Sequence, residues 1–82
     1  MYKVLIERRA ERDLNALEKS MRSRVIRYCL KLRDNPRANA KKLHGSPNAW
    51  RIRIGDLRVI YEIDDKRREV KIYRIKHRSK AY

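Results

Sequence analysis

The chain has 82 residues and a formal net charge of +14, from 24 lysines and arginines against 10 aspartates and glutamates. One cysteine rules out a disulfide framework and a cysteine-based metal cluster, and no apolar run approaches the roughly 18 residues of a membrane-spanning helix. The charge excess goes beyond what solubility needs and implies an anionic partner: nucleic acid, an acidic protein, or both.

Eighty-two residues read as one domain, residues 1–82, with no repeat and no low-complexity tract. Apolar residues recur periodically along the whole length, which excludes a disordered basic tail. The opening Met1-Tyr2-Lys3-Val4-Leu5-Ile6-Glu7 is too short and too early charged for a secretory leader, so the expected location is the cytoplasm.

Tyr2 to Ile6 is rich in β-formers and reads as a first strand, buried on both faces. From about Arg8 the period changes. Ala10, Leu14 and Leu17 fall at helical spacing and predict an amphipathic helix of about three turns, with Arg9 and Asp13 able to pair on its outer side. Ser20 reads as the N-cap of a second helix, whose stripe is Met21, Val25, Tyr28 and Leu32 and which ends near Asn35, before Pro36. Cys29 falls in that stripe as a small buried hydrophobe. Arg37 to Asn48 is a connector. Its Lys41-Lys42 pair is either a partner contact or a solvated loop, and His44 has no matching ligand or carboxylate in reach.

Trp50-Arg51-Ile52-Arg53-Ile54 and Leu57-Arg58-Val59-Ile60-Tyr61-Glu62-Ile63 alternate with period two around Gly55-Asp56. This predicts a hairpin with a type II′ turn, Gly55 supplying the positive φ. Ile54 then faces Leu57, Arg53 faces Arg58, Ile52 faces Val59, Arg51 faces Ile60 and Trp50 faces Tyr61. A third strand, Arg68 to Ile75, follows a loop at Asp64-Asp65-Lys66-Arg67. That loop sets Ile63 against Arg68, Tyr61 against Val70, and Arg58 against Tyr73. The polar face so predicted holds Arg51, Arg53, Arg58, Lys71 and Tyr73 around Ile60. Directly opposed like charges cost a few tenths to about 1 kcal/mol. Arg53 opposite Arg58 therefore costs folding something, and an anion between them removes that cost. The tail Lys76 to Tyr82 starts near Arg58 in this register.

The expected fold class is α+β: one strand, two antiparallel helices, then a three-stranded antiparallel meander, the helices packed on one face of the sheet and the arginines on the other. Ordered as they are, Ala10-Glu11-Arg12-Asp13-Leu14, Asp34-Asn35-Pro36-Arg37, Lys42-Leu43-His44-Gly45, the run from Trp50 to Tyr61 and the close His77-Arg78-Ser79-Lys80-Ala81-Tyr82 resemble the RelE/ParE superfamily of toxins over nearly the whole length.

The resemblance implies a toxin held inactive by an acidic antitoxin in a hetero-oligomer, monomeric when free, with no membrane partner. RelE-like members enter the ribosomal A site, contact 16S rRNA and cut messenger RNA. The RNA 2′-hydroxyl attacks the neighbouring phosphate without metal or other cofactor. The family residues that share deprotonation, charge stabilisation and leaving-group protonation match Arg51, Arg53, Arg58, His77 or Arg78, and Tyr82. Further RNA contacts are expected at Lys71, Tyr73, Arg78, Lys41 and Lys42. The best-known ribonuclease pattern has lysines where this chain has Arg51 and Arg53. A guanidinium clamps phosphate well and is no base at neutral pH. His77 has two readings, proton transfer or antitoxin contact, and Lys71 and Tyr82 are the other groups for the base. The competing classes are a ParE-like, non-catalytic inhibitor of DNA gyrase and a basic binding module that has lost catalysis.

Overall fold

A computed structural model describes residues 1–77. The elements in chain order are β1 (Lys3–Ile6), α1 (Arg8–Asn15), α2 (Lys19–Lys31), β2 (Lys41–Lys42), β3 (Ala49–Ile54), β4 (Leu57–Asp64) and β5 (Glu69–His77). They build one five-stranded sheet in the order β1-β5-β4-β3-β2. β1 runs parallel to β5, and every other neighbour is antiparallel.

The hairpin follows from its alternation and its turn. Gly55 has φ +59° and Asp56 is not in the left-handed region, as a type II′ turn requires. All five predicted facing pairs are present, from Ile54 opposite Leu57 to Trp50 opposite Tyr61. Ile52, Ile54, Leu57, Val59, Tyr61 and Ile63 are buried beneath Ala10, Leu14, Val25, Cys29 and Leu32 of the helical layer. Trp50 is half-buried at the margin, with the Arg37 guanidinium 5.5 Å above its ring. The Tyr61 hydroxyl, deep in the core, donates to the Pro36 carbonyl at 2.6 Å, and burial pushes its pKa up to about 12.

Several local expectations need correction. β1 is an edge strand with Val4 and Leu5 only half-buried, because β5 is its one neighbour. α1 ends at Asn15, after about two turns, and Leu17 packs on the core from beyond its end. α2 starts at Lys19 with Glu18 in the N-cap position, so Ser20 lies inside it. It ends at Lys31, and the N–H groups of Leu32, Arg33 and Asp34 each donate three residues back, the tighter winding that often closes a helix. The connector contains a strand, β2, pairing Lys41 with Arg51 and Lys42 with Trp50.

The largest correction is to β5. The turn before it is residues 65–68, with Arg68 at φ 56° and the Arg67 N–H donating to Asp64 Oδ1 at 3.0 Å. Asp64 thus faces Glu69, Ile63 faces Val70 and Tyr61 faces Ile72. A β-bulge follows. Ile60 faces Arg74, leaving Tyr73 as the extra residue, and Val59 faces Ile75, Arg58 faces Lys76 and Leu57 faces His77. The bulge has a packing cause. Val70 and Ile72 are two apart, but Ile75 is three further on, and only an inserted residue buries all three on one face.

Asp13 stabilises the bulge. β1 stops pairing at Ile72, and beyond it α1 takes over the edge of β5. Asp13 Oδ2 accepts the Ile75 N–H at 2.9 Å and the Arg74 Nε–H at 2.9 Å. The expected Arg9–Asp13 pair reduces to a charge effect, since these bonds run to β5. Burial acts to raise the Asp13 pKa, and the bonds from Arg74 and Ile75, with the charges of Arg74 and Arg9, outweigh it and lower it overall.

Candidate anion-binding face

The helices cover one side of the sheet, and the other side carries the cations. Arg53 on β3 stands opposite Arg58 on β4, which stands opposite Lys76 on β5. Opposed side chains in a sheet have Cβ atoms about 4.5–5.5 Å apart, so three positive charges form a row across three strands. Arg58 is half-buried, and its Nε–H is buried with no hydrogen-bond partner among the described residues. A donor in that condition costs free energy until an acceptor arrives. Beside the row, Arg51 and Arg53 line a shallow concavity of about 230 Å³ with Lys41 and Asn39. β2 creates it by setting Lys41 against Arg51, which brings Lys41 to the site and leaves Lys42 opposite Trp50.

The structure separates other predicted members from this cluster. Tyr73 does not lie beside Arg58. Its hydroxyl donates to Glu62 Oε1 at 3.3 Å, and burial and the Glu62 charge raise its pKa, so the phenol keeps its proton at neutral pH. Lys71 stands opposite Glu62, not Ile60. Glu62 is four residues from Arg58 on β4, about 13 Å at strand rise. Lys71, Tyr73 and Glu62 are thus a second polar cluster on the sheet.

His77 is also displaced. Opposite Leu57, it falls on the helix side and lines a groove of about 730 Å³ with Leu17, Met21 and Leu57. Arg78 and Tyr82 lie outside the described residues. Lys76 is the member that sequence reasoning missed. The three-residue step from Ile72 to Ile75 was the available signal, since a bulge there exchanges the faces of everything after it.

Fold and face together define a class: a small basic α+β protein with a row of cations across the open side of its sheet. Residues 4–82 match the sequence profile of the family described as the ParE toxin of the type II toxin–antitoxin system parDE. The chain belongs to this family, within the RelE/ParE superfamily, and is a toxin of the type II toxin–antitoxin kind. It is similar to the toxin–antitoxin complex RelBE2 of Mycobacterium tuberculosis, at 30% identity and TM-score 0.86 over 94% of this chain and 98% of that one. It is also similar to the archaeal RelE–RelB complex of Pyrococcus horikoshii OT3, at 30% identity and TM-score 0.85 over 98% of each chain. The intact RelBE complex of E. coli shares the fold at 22% identity and TM-score 0.82, over 94% of this chain and 96% of that one. No curated protein sequence matches the chain.

Proposed function

We propose that this toxin acts on RNA, cutting messenger RNA in the ribosomal A site. The observation that carries the proposal is the Arg53–Arg58–Lys76 row, three cations side by side across three strands of the open face. In the reaction the 2′-oxygen bonds to phosphorus as it loses its proton, and the bond to the 5′-oxygen breaks as that oxygen gains one. The products are a 2′,3′-cyclic phosphate and a free 5′-hydroxyl. Arg53, Arg58 and Lys76 oppose the negative charge that grows on the pentacoordinate phosphate. Arg51 and Lys41 hold a neighbouring phosphate in the concavity. Arg78 adds a further contact, and Tyr82 takes the role of proton transfer or of stacking on a base. 16S rRNA supplies the surrounding contacts, and no cofactor is given a part. An acidic antitoxin is the inhibitory partner in the cytoplasm. The two solved relatives at 30% identity are both toxin–antitoxin complexes, which supports such a partner.

Mapping RNA 5′ ends after induction without antitoxin tests the proposal. New ends bearing a 5′-hydroxyl inside translated frames are expected, and their absence on programmed ribosomes sinks it.

A second reading, inhibition of DNA gyrase by binding, is favoured by the family description and by arginine at positions 51 and 53. Under that reading DNA replication stops before protein synthesis, and under the first the order reverses.

A further inference from the structure

Side chains alternate along β4, so Arg58, Ile60 and Glu62 share the open side of the sheet while Val59, Tyr61 and Ile63 are buried between them. The Glu62 carboxylate accepts the Tyr73 hydroxyl at 3.3 Å. Tyr73 is the extra residue of the bulge, and a bulge re-aims the side chain it carries. Here it brings a phenol ring to the open face beside Glu62. Lys71 stands opposite Glu62 on β5, yet among the described residues the two form no ion pair. Both line a concavity of about 400 Å³ with Asn48 and the turn after β4. The acids of that turn are engaged, Asp64 by the Arg67 N–H and Asp65 by Arg37 and Tyr2. Glu62 and Lys71 are the charged pair that the strands themselves present to this concavity.

A cationic row, the half-buried Ile60 and a carboxylate–ammonium pair thus follow one another along β4. Glu62 repels a backbone phosphate, so the far end of the face suits another part of a nucleic acid. Bases of single-stranded RNA splay out, stack on aromatic side chains and are recognised on their Watson–Crick edges. We propose that Glu62, Lys71 and Tyr73 form a seat that selects guanine at a nucleotide flanking the cut. The inference rests on the RNA-cutting function proposed above and adds the residues that choose the sequence. Guanine presents two adjacent donors, N1–H and N2–H, beside the O6 acceptor. The carboxylate takes both donors, since its two oxygens have lone pairs to spare beyond the bond from Tyr73, and the Lys71 ammonium donates to O6. Adenine and cytosine offer one donor beside an acceptor, and uracil flanks its one donor with two carbonyls, which a carboxylate repels. The spacing agrees. Arg58 and Glu62 are about 13 Å apart at strand rise, so a nucleotide with its phosphate on the row extends its base over Ile60 toward Glu62.

The test is single-turnover cleavage on programmed ribosomes, with guanosine or inosine placed in turn at each nucleotide of the A-site codon. Inosine is guanosine without the 2-amino group. Wild type is expected to cut the guanosine message about tenfold faster than the inosine message at one position. Glu62→Gln, whose amide oxygen still accepts from Tyr73, is expected to bring that ratio within about twofold of unity and to melt as wild type does. Tyr73→Phe keeps the ring and releases the carboxylate, and is expected to lower the ratio partway. A Glu62 that serves only the fold changes the rate on both messages together and leaves their ratio alone, and that result overturns the proposal. So does a wild type that cuts guanosine and inosine messages equally at every position. If wild-type toxin cuts none of the messages, the RNA-cutting function falls and takes this inference with it.

Discussion

Asp13 Oδ2 accepts the backbone N–H of Ile75 at 2.9 Å, tying the first helix to the last strand across 62 residues of sequence. The bond satisfies a donor that β1 does not reach. It also holds the bulge that turns Lys76 toward Arg58. Asp13→Ala is expected to cost about 1–3 kcal/mol, the range for leaving a buried donor unsatisfied, and to weaken toxicity through misplacement of Lys76. Denaturant unfolding checks the first part. The pH dependence has a definite sign. The folded-state pKa lies below the ordinary 3.8, so the contribution is present above that value and is lost as pH falls below it. The Asp13→Ala protein is expected to lose less stability than wild type on acidification below about pH 4.

Arg58→Ala and Lys76→Ala are each expected to abolish growth arrest with little change in melting temperature, because each removes a like-charge pair from the sheet. Lys76→Arg keeps the charge and should keep most of the toxicity. A variant that loses toxicity only because it melts would argue against an anion site.

For His77→Ala, single-turnover cleavage on programmed ribosomes is expected to fall by less than about tenfold, since the residue faces the helix side, opposite Leu57. A loss of about 10²–10⁴-fold would return proton transfer to His77 and require the strand end to turn over during catalysis.

Tyr61→Phe removes one oxygen and leaves the Pro36 carbonyl without its 2.6 Å donor. A loss of about 1–2 kcal/mol by denaturant unfolding is expected, with growth arrest retained because the hydroxyl points away from the open face. The folded-state pKa near 12 lies above the ordinary 10, so this contribution is full below pH 10 and declines as pH rises toward 12. Wild type should therefore lose more stability than Tyr61→Phe between those two values.

The β3–β4 hairpin was legible because two independent signals agreed: strict alternation on both arms, and a two-residue turn with glycine where φ must be positive. Both pin the register to a single residue. β5 had only one signal. Nothing in Asp64 to Arg68 announces which four residues turn, since Arg68 takes a left-handed φ that its side chain does not favour. Moving the turn by one residue, from 64–67 to 65–68, shifts the register by two and still leaves Val70 and Ile72 inward, so the pattern looked consistent. The bulge at Tyr73 then separated the site as read from the site as built, trading Tyr73 for Lys76 opposite Arg58. β2 escaped notice because two lysines carry no strand propensity, and pairing with the edge of β3 is what extends them.

The cationic row draws its third member from the last of the described strands to be synthesised, and that strand sits in the sheet between β4 and β1. During synthesis β5 leaves the ribosome after β1, β3 and β4, so until it emerges the place between β1 and β4 is vacant and Arg58 has no Lys76 across from it. Under the proposed function the phosphate site is incomplete until β5 slots between strands that emerged first, and an antitoxin has that interval in which to arrive.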